Sequence, residues 1–339
     1  MVAIRQDIAL ADSFVCPQGQ TVQNAECCAL IPVLEDLQTN YFAGEVCSSV
    51  ARSALRVAFH DAMGWSSNTT TNLGNGADGS ILVFDCVEME YAANERLGVA
   101  VSVLQPFLNN HNISAGDFLQ FTAAVGLTTC PGAPAIPYFF GRPDPIQPAA
   151  DGTIPLPSDS VDQILARFSD VGFDPTDVVA LLGAHSIASA DINDDTTTVP
   201  YLDSTPQVFD VEFYKEVLLP GTISNNSIEP TDTTASPFTW EIRLKSDANI
   251  AADIRTQSTW QTLINNPSTF GSAFSEVMAQ LSILGNDPET LIDCSDMIPA
   301  PMPAPPPNTG AIVEPIRCDK SIQNAKKCLI FIFGGGAVG

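Results

Sequence analysis

Along the chain, apolar residues recur at three- and four-residue spacing, and strand-like alternation is scarce. Leu30, Val33, Leu34, Leu37 and Tyr41 mark a first helix. Val50, Ala51, Ala54, Leu55, Ala58 and Ala62 mark a second, with Gly64 as its stop signal. Val99, Val103 and Phe107 carry a third, Asp117 to Gly126 a fourth and Ser160 to Phe168 a fifth. A sixth starts at Asp174-Pro175, an N-cap followed by proline at the first helical position. Its stripe is Val178, Leu181, Leu182, His185 and Ala188, which places His185 on the buried side. Helical rhythm returns at Phe213 to Leu219, Ser246 to Arg255 and Ser272 to Leu284, and no internal repeat is found. The predicted fold class is all-α. Residues 131 to 158, rich in Pro and Gly, should be irregular and could rim a cleft, and Pro299 to Pro307 should be extended.

The second helix carries the candidate chemistry. Arg56 and His60 are four apart and share a face, with Phe59 flanking it. Asp61 is rotated about 100° away and points elsewhere. Taken alone, this is equally the pattern of an amphipathic helix with a solvated Arg and His. The loop end Gly76-Ala77-Asp78-Gly79-Ser80 offers oxygens to a hard cation, although most such loops are plain turns. Asp203-Ser204-Thr205-Pro206-Gln207-Val208-Phe209-Asp210 is a second oxygen-dense loop. His111 reads as a surface loop residue without a chemical role. His185, on an apolar stripe, is by itself more often a core residue than a ligand.

Composition narrows the class. The 339 residues suit one large or two ordinary domains. A formal net charge of −25 argues against nucleic acid and anionic membrane as partners. No apolar run is long enough to span a bilayer. Nine cysteines without a C-x-x-C pair argue for an oxidising compartment and against a zinc ribbon. Adjacent Cys27 and Cys28 should tie two different segments together. Sequons at Asn68, Asn112 and Asn225 fit secretion. Arg5, Asp7 and Asp12 interrupt the first residues, so no signal peptide is expected there and the chain reads as mature protein.

Five stretches in order carry a resemblance: Arg56-Val57-Ala58-Phe59-His60-Asp61, Gly76-Ala77-Asp78-Gly79-Ser80, Leu181-Leu182-Gly183-Ala184-His185-Ser186, Asp203-Ser204-Thr205-Pro206 and Ser246-Asp247. Over roughly residues 16 to 300 the chain resembles the secreted haem peroxidases of fungi, class II of the plant-type superfamily. The resemblance implies the haem peroxidase fold, with ten or more helices and little β structure. Haem b would lie between a distal half (16–150, carrying His60) and a proximal half (151–298, carrying His185), followed by an extended Pro/Gly-rich tail (299–339). His185 would bind the iron, with Asp247 accepting from its other nitrogen. His60 would be the acid–base for hydrogen peroxide, and Arg56 would stabilise charge as the O–O bond breaks. Asn94 would hold the His60 ring, Glu88 would steady Asn94, and Phe59 would pack over the haem. Two Ca²⁺ are implied, one at Asp61, Gly76, Asp78 and Ser80, the other at Ser186, Asp203, Thr205, Val208 and Asp210. Implied disulfides are Cys16–Cys28, Cys27–Cys294 and Cys47–Cys130. A fourth family bridge would need a cysteine near Ser258, and Cys86, Cys318 and Cys328 are left over.

Departures from the family pattern speak to the electron donor. Manganese-oxidising members place two Glu and an Asp where this chain has Ser49, Ser53 and Asp191. Lignin-oxidising members carry an exposed Trp where this chain has Ala180. The pattern, with Leu202, is similar to the generic low-potential peroxidases of inky-cap mushrooms. The expectation is a secreted, monomeric enzyme that oxidises small phenolic or aromatic reductants at a haem edge beside the Gly141 to Pro157 rim. Rival readings are a manganese peroxidase with a partial site at Asp191, a metal-dependent hydrolase built on His60-Asp61, and a calcium-stabilised binding protein.

Overall fold

A computed structural model of the chain describes residues 13–67, 76–189, 201–223 and 232–305. Among the described residues twelve α-helices run in the order α1 (Ile31–Asp36), α2 (Ser49–Ala62), α3 (Ser80–Val83), α4 (Asp85–Glu88), α5 (Gly98–Leu108), α6 (Ala115–Thr128), α7 (Val161–Asp170), α8 (Pro175–Leu181), α9 (Glu212–Val217), α10 (Lys245–Ala252), α11 (Gln257–Asn265) and α12 (Pro267–Leu281). Strand in this part of the chain is limited to three antiparallel pairs of two-residue segments. The all-α expectation therefore holds.

Helix α6 is the centre of the core, and every one of its residues is buried. A helix that is apolar on most sides has to lie inside. Ser114 caps it by accepting the Asp117 N–H at 3.1 Å. Helix α2 packs along it, and the Gln120 side chain donates to the Ala58 carbonyl at 3.2 Å. Gly126 admits the Phe42 ring so closely that an added Cβ would lie 3.0 Å from it. The Cys47–Cys130 disulfide joins the start of α2 to the end of α6. Ala51, Ala54, Leu55, Ala58 and Ala62 are all buried, as their spacing predicts.

Helix α8 begins as its sequence predicts. The Asp174 carboxylate accepts from Thr176 N–H at 2.7 Å and Asp177 N–H at 3.0 Å, with Pro175 next in the chain. Its end departs from expectation. The α-helix stops at Leu181, and Leu182–Ile187 continue as a tighter 3₁₀ turn. Gly183 is wedged under Phe270 of α12, where a Cβ would meet the ring at 2.3 Å. The chain then leaves extended at Ala188. His185 stands on this tighter turn, with its side chain half-buried.

Other boundaries move as well. The first predicted helix, from Leu30 on, is α1 followed by a π turn (Leu37–Tyr41), and a 3₁₀ turn (Ala25–Leu30) leads into it. Helix α10 ends at Ala252, short of Arg255, and α12 runs from Pro267 to Leu281. Residues 131 to 158 are irregular apart from Phe139–Phe140. His111 is not a free surface residue, since its Nε2 lies 2.9 Å from an Asp36 carboxylate oxygen in a partly buried pair.

The three implied disulfides form: Cys16–Cys28, Cys27–Cys294 and Cys47–Cys130. Cys86 is unpaired and exposed. Asn112 is exposed, whereas Asn68, Asp191, Asn225, Cys318 and Cys328 lie outside the described residues. No helix among the described residues is long and apolar enough to cross a membrane.

Candidate active site

Helix α2 presents His60, Arg56 and Phe59 together. His60 is buried at 9 % exposure. Its Nδ1 lies 2.8 Å from Asn94 Oδ1. An amide oxygen can only accept, so Nδ1 carries the proton and Nε2 is the basic nitrogen. Burial, and then the Arg56 cation, push the His60 imidazole down to about 3, against a smaller opposing effect of the Asn94 bond. His60 is therefore neutral across the ordinary working range. Phe59 meets the His60 ring edge-on at 5.8 Å and leans on Phe168.

Asn94 is itself held. Its Nδ2 donates to the backbone carbonyl of Glu88 at 3.1 Å. Glu88 thus steadies Asn94 through its main chain, while its carboxylate accepts the Ala149 N–H at 3.0 Å. Burial raises the Glu88 carboxyl above its ordinary range.

His185 sits on the 3₁₀ turn after α8. Its Nδ1 donates to Asp247 Oδ2 at 3.0 Å, and Asp247, on α10, is 1 % exposed. Phe213 of α9 meets the His185 ring edge-on at 5.4 Å. Each imidazole thus has Nδ1 committed to an oxygen and Nε2 left for chemistry.

Two oxygen-rich loops flank these histidines. Next to His60, Asp61 accepts from Gly79 N–H at 2.9 Å and Ile81 N–H at 3.3 Å, and Asp78 accepts from Ser80 N–H at 2.9 Å. Gly76 and Gly79 have φ of 85° and 80°, the left-handed region. The Gly76 carbonyl accepts from Asp78 N–H at 2.8 Å. Asp61 and Asp78 are both fully buried, and burial, then the Asp78 charge, raises the Asp61 carboxyl well above its usual range. Ser80 Oγ is buried without a hydrogen-bond partner.

Next to His185, Ser186 Oγ donates to the Val208 carbonyl at 3.1 Å and accepts Asp210 N–H at 3.0 Å. Thr205 Oγ1 donates to Asp210 at 3.1 Å, and Asp203 Oδ1 accepts Thr205 N–H at 2.9 Å. The other Asp203 oxygen is buried without a partner. Burial pushes the Asp210 carboxyl up to about 6. All the residues expected in each loop are therefore brought together. No cluster of three or more His, Cys, Asp or Glu that could hold a metal occurs among the described residues. Each loop instead pairs two carboxylates with neutral hydroxyl and carbonyl oxygens, a donor set suited to a hard cation such as Ca²⁺.

Some of what frames the site is not legible in the sequence. Ala149 and Tyr91 join the Glu88 network, since the Tyr91 hydroxyl donates to the Ala149 carbonyl at 2.8 Å. Arg167 of α7 donates to the carbonyls of Trp65 at 2.6 Å and Thr153 at 2.6 Å, joining the end of α2 to the irregular segment. No local pattern marks these contacts, because each joins a side chain to a main-chain atom far away in sequence.

Comparison with known proteins finds two family models on this chain. The model described as peroxidase matches residues 33–266, and the fungal peroxidase extension region matches residues 269–328. A manganese peroxidase of Phanerodontia chrysosporium is 43 % identical, over 90 % of this chain and 82 % of its own length. A versatile peroxidase of Pleurotus eryngii is 43 % identical over 84 % of this chain and 78 % of its own. A peroxidase of Arthromyces ramosus is 42 % identical over 85 % and 80 % respectively.

Proposed function

The chain belongs to the peroxidase family with its fungal extension region, and on that premise we propose that His60 and Arg56 act on hydrogen peroxide opposite a haem held by His185, and that small phenolic and aromatic molecules are the reductants. It is a haem peroxidase with the helical fold of that family. The observation that carries the residue roles is the shared geometry of two imidazoles, each with Nδ1 committed, at 2.8 Å to Asn94 and 3.0 Å to Asp247. When bound, haem supplies the iron at which peroxide is reduced and from which oxidising equivalents pass on singly.

The residues present fit that group. His185 offers Nε2 as a ligand, and the Asp247 carboxylate makes the imidazole more electron-rich. His60 is neutral, so its Nε2 can take a proton from one peroxide oxygen and return it to the other as that oxygen leaves. Arg56 supplies fixed positive charge where negative charge develops. The unpartnered oxygens of Ser80 and Asp203 support a calcium ion in each loop, since buried polar atoms are otherwise nearly always paired. Three disulfides support a secreted, extracellular enzyme.

Identity alone does not choose the donor, because manganese-oxidising and other relatives match almost equally. Ser49 and Ser53 provide no carboxylates, and Arg52 between them adds a cation, anchored to the Pro206 carbonyl at 3.1 Å. Ala180 is buried and has no aromatic ring to relay an electron. Direct oxidation of small aromatic donors is the reading that remains. Steady-state turnover of Mn²⁺, a simple phenol and a non-phenolic aromatic tests it, with the phenol expected to be oxidised fastest. Efficient Mn²⁺ turnover that is lost in Asp191→Ala would favour the manganese reading instead.

A further inference from the structure

The irregular segment between Gly141 and Pro157 is gripped at two points by residues tied to the helix that carries His60. At Ala149 the N–H donates to the Glu88 carboxylate at 3.0 Å, and the carbonyl accepts from the Tyr91 hydroxyl at 2.8 Å. These two groups belong to the peptide units on either side of one Cα, so together they fix the backbone at Ala149. The Ala149 methyl rests on Gly64, where an added Cβ would lie 2.6 Å from it. At Thr153 the carbonyl accepts from Arg167, whose guanidinium also donates to Met63 and Trp65 beyond the end of α2. With no helix or sheet to set the backbone here, these side chains do so.

From Ala149 a continuous path leads to the proposed base. The carboxylate that takes the Ala149 N–H belongs to the last residue of α4. The main-chain carbonyl of the same residue takes the Asn94 amide at 3.1 Å, and Asn94 Oδ1 takes the His60 Nδ1–H at 2.8 Å. We propose that Tyr91 is a positioning residue for the peroxide step. Its hydroxyl holds the Ala149 main chain so that Glu88, and through it Asn94, keeps the His60 ring in register. This rests on His60 being the acid–base group.

The test is Tyr91→Phe, which keeps the ring and removes one hydroxyl, made in the haem-loaded enzyme. Rapid mixing with hydrogen peroxide should show a second-order rate constant lower by about three- to tenfold, the range for losing one hydrogen bond. The rate of donor oxidation should not change, and amide exchange in the 145–152 segment should quicken. In a His60→Ala background the same substitution should cause no further loss in the peroxide step, because its effect runs through that imidazole. An unchanged peroxide rate in Tyr91→Phe, or the same proportional loss with and without His60, would overturn the proposal. If His60→Ala itself reacts as fast as the parent, the base assignment falls and this inference falls with it. A slow His60→Ala beside an unimpaired Tyr91→Phe removes this inference alone.

Discussion

His60 and His185 are built alike and tuned apart. Each commits Nδ1 to a buried oxygen acceptor and keeps Nε2 available. The acceptor is a neutral amide for His60 and a carboxylate for His185. The surroundings widen the difference, since His60 shares its helix face with the Arg56 cation while His185 faces the edge of Phe213. On the proposed roles, one hydrogen-bond pattern would serve two ends. With a cation and a neutral partner, the imidazole stays uncharged and free to take a proton. With an anionic partner, it becomes a stronger electron donor to a metal.

The comparison breaks most completely at the histidines themselves. His60→Ala should slow the reaction with hydrogen peroxide by about 10²- to 10⁴-fold, the usual range for general acid–base catalysis, and leave haem binding intact. Rapid-mixing absorbance measures this, and equal rates in variant and parent would remove His60 from the mechanism. His185→Ala should instead change or abolish the Soret band. A smaller effect comes from giving His185 the kind of partner that His60 has. Asp247→Asn should keep the haem, raise its reduction potential and lower activity by roughly 10- to 100-fold, as expected when a metal ligand loses its supporting carboxylate. Spectroelectrochemistry would show whether the potential moves, and an unmoved potential would mean the carboxylate only orients the ring.

The pH dependence sharpens the same contrast. The His60 imidazole, pushed down to about 3, works as a base only when deprotonated. The peroxide rate constant should therefore be flat from neutrality down to about pH 4 and fall only as pH approaches 3. Asn94→Asp would place a carboxylate beside His60, raise its affinity for a proton and carry the acid limb to higher pH. An acid limb near the ordinary histidine value in the parent enzyme would mean that His60 is neither desolvated nor opposed by Arg56 as the geometry requires.

How much of the fold is legible in the sequence depends on the range of the contacts that shape it. The Arg56–His60 face depends only on helical periodicity, and α8 announces its start through Asp174-Pro175. These are local effects, legible in a single window. The turn on which His185 stands is not local, because its tightening goes with the approach of Phe270 to Gly183 from α12. Helix α11 is not legible in the sequence because, of its residues, Trp260 and Leu263 alone are buried, too few to make a stripe. Motif-level resemblance named Glu88 and Asn94, but the main-chain carbonyl that joins them has no signature in residue type. Ala149 and Arg167 act through contacts set only once the chain has folded.

The smallest predicted effect concerns the two oxygen-rich loops, which match each other as closely as the histidines differ. Each buries carboxylates together, Asp61 with Asp78 and Asp203 near Asp210, and burial raises Asp61, Asp203 and Asp210 above the usual carboxylate range. An acid whose folded value is raised binds its proton more tightly in the native state than in the unfolded chain. Its contribution to stability is therefore intact below about pH 4 and is lost as pH climbs through the folded value. For Asp210, at about 6, the loss should be complete above that pH. Its size would be on the order of 1–3 kcal/mol, or a few degrees in Tm. A bound calcium ion would neutralise these charges and remove the dependence. A chelator should then lower Tm little near pH 4 and progressively more towards neutrality, with added Ca²⁺ restoring it. A chelator effect of equal size at both ends would mean that these carboxylates are not what calcium balances, and that the unpartnered oxygens of Ser80 and Asp203 need another explanation.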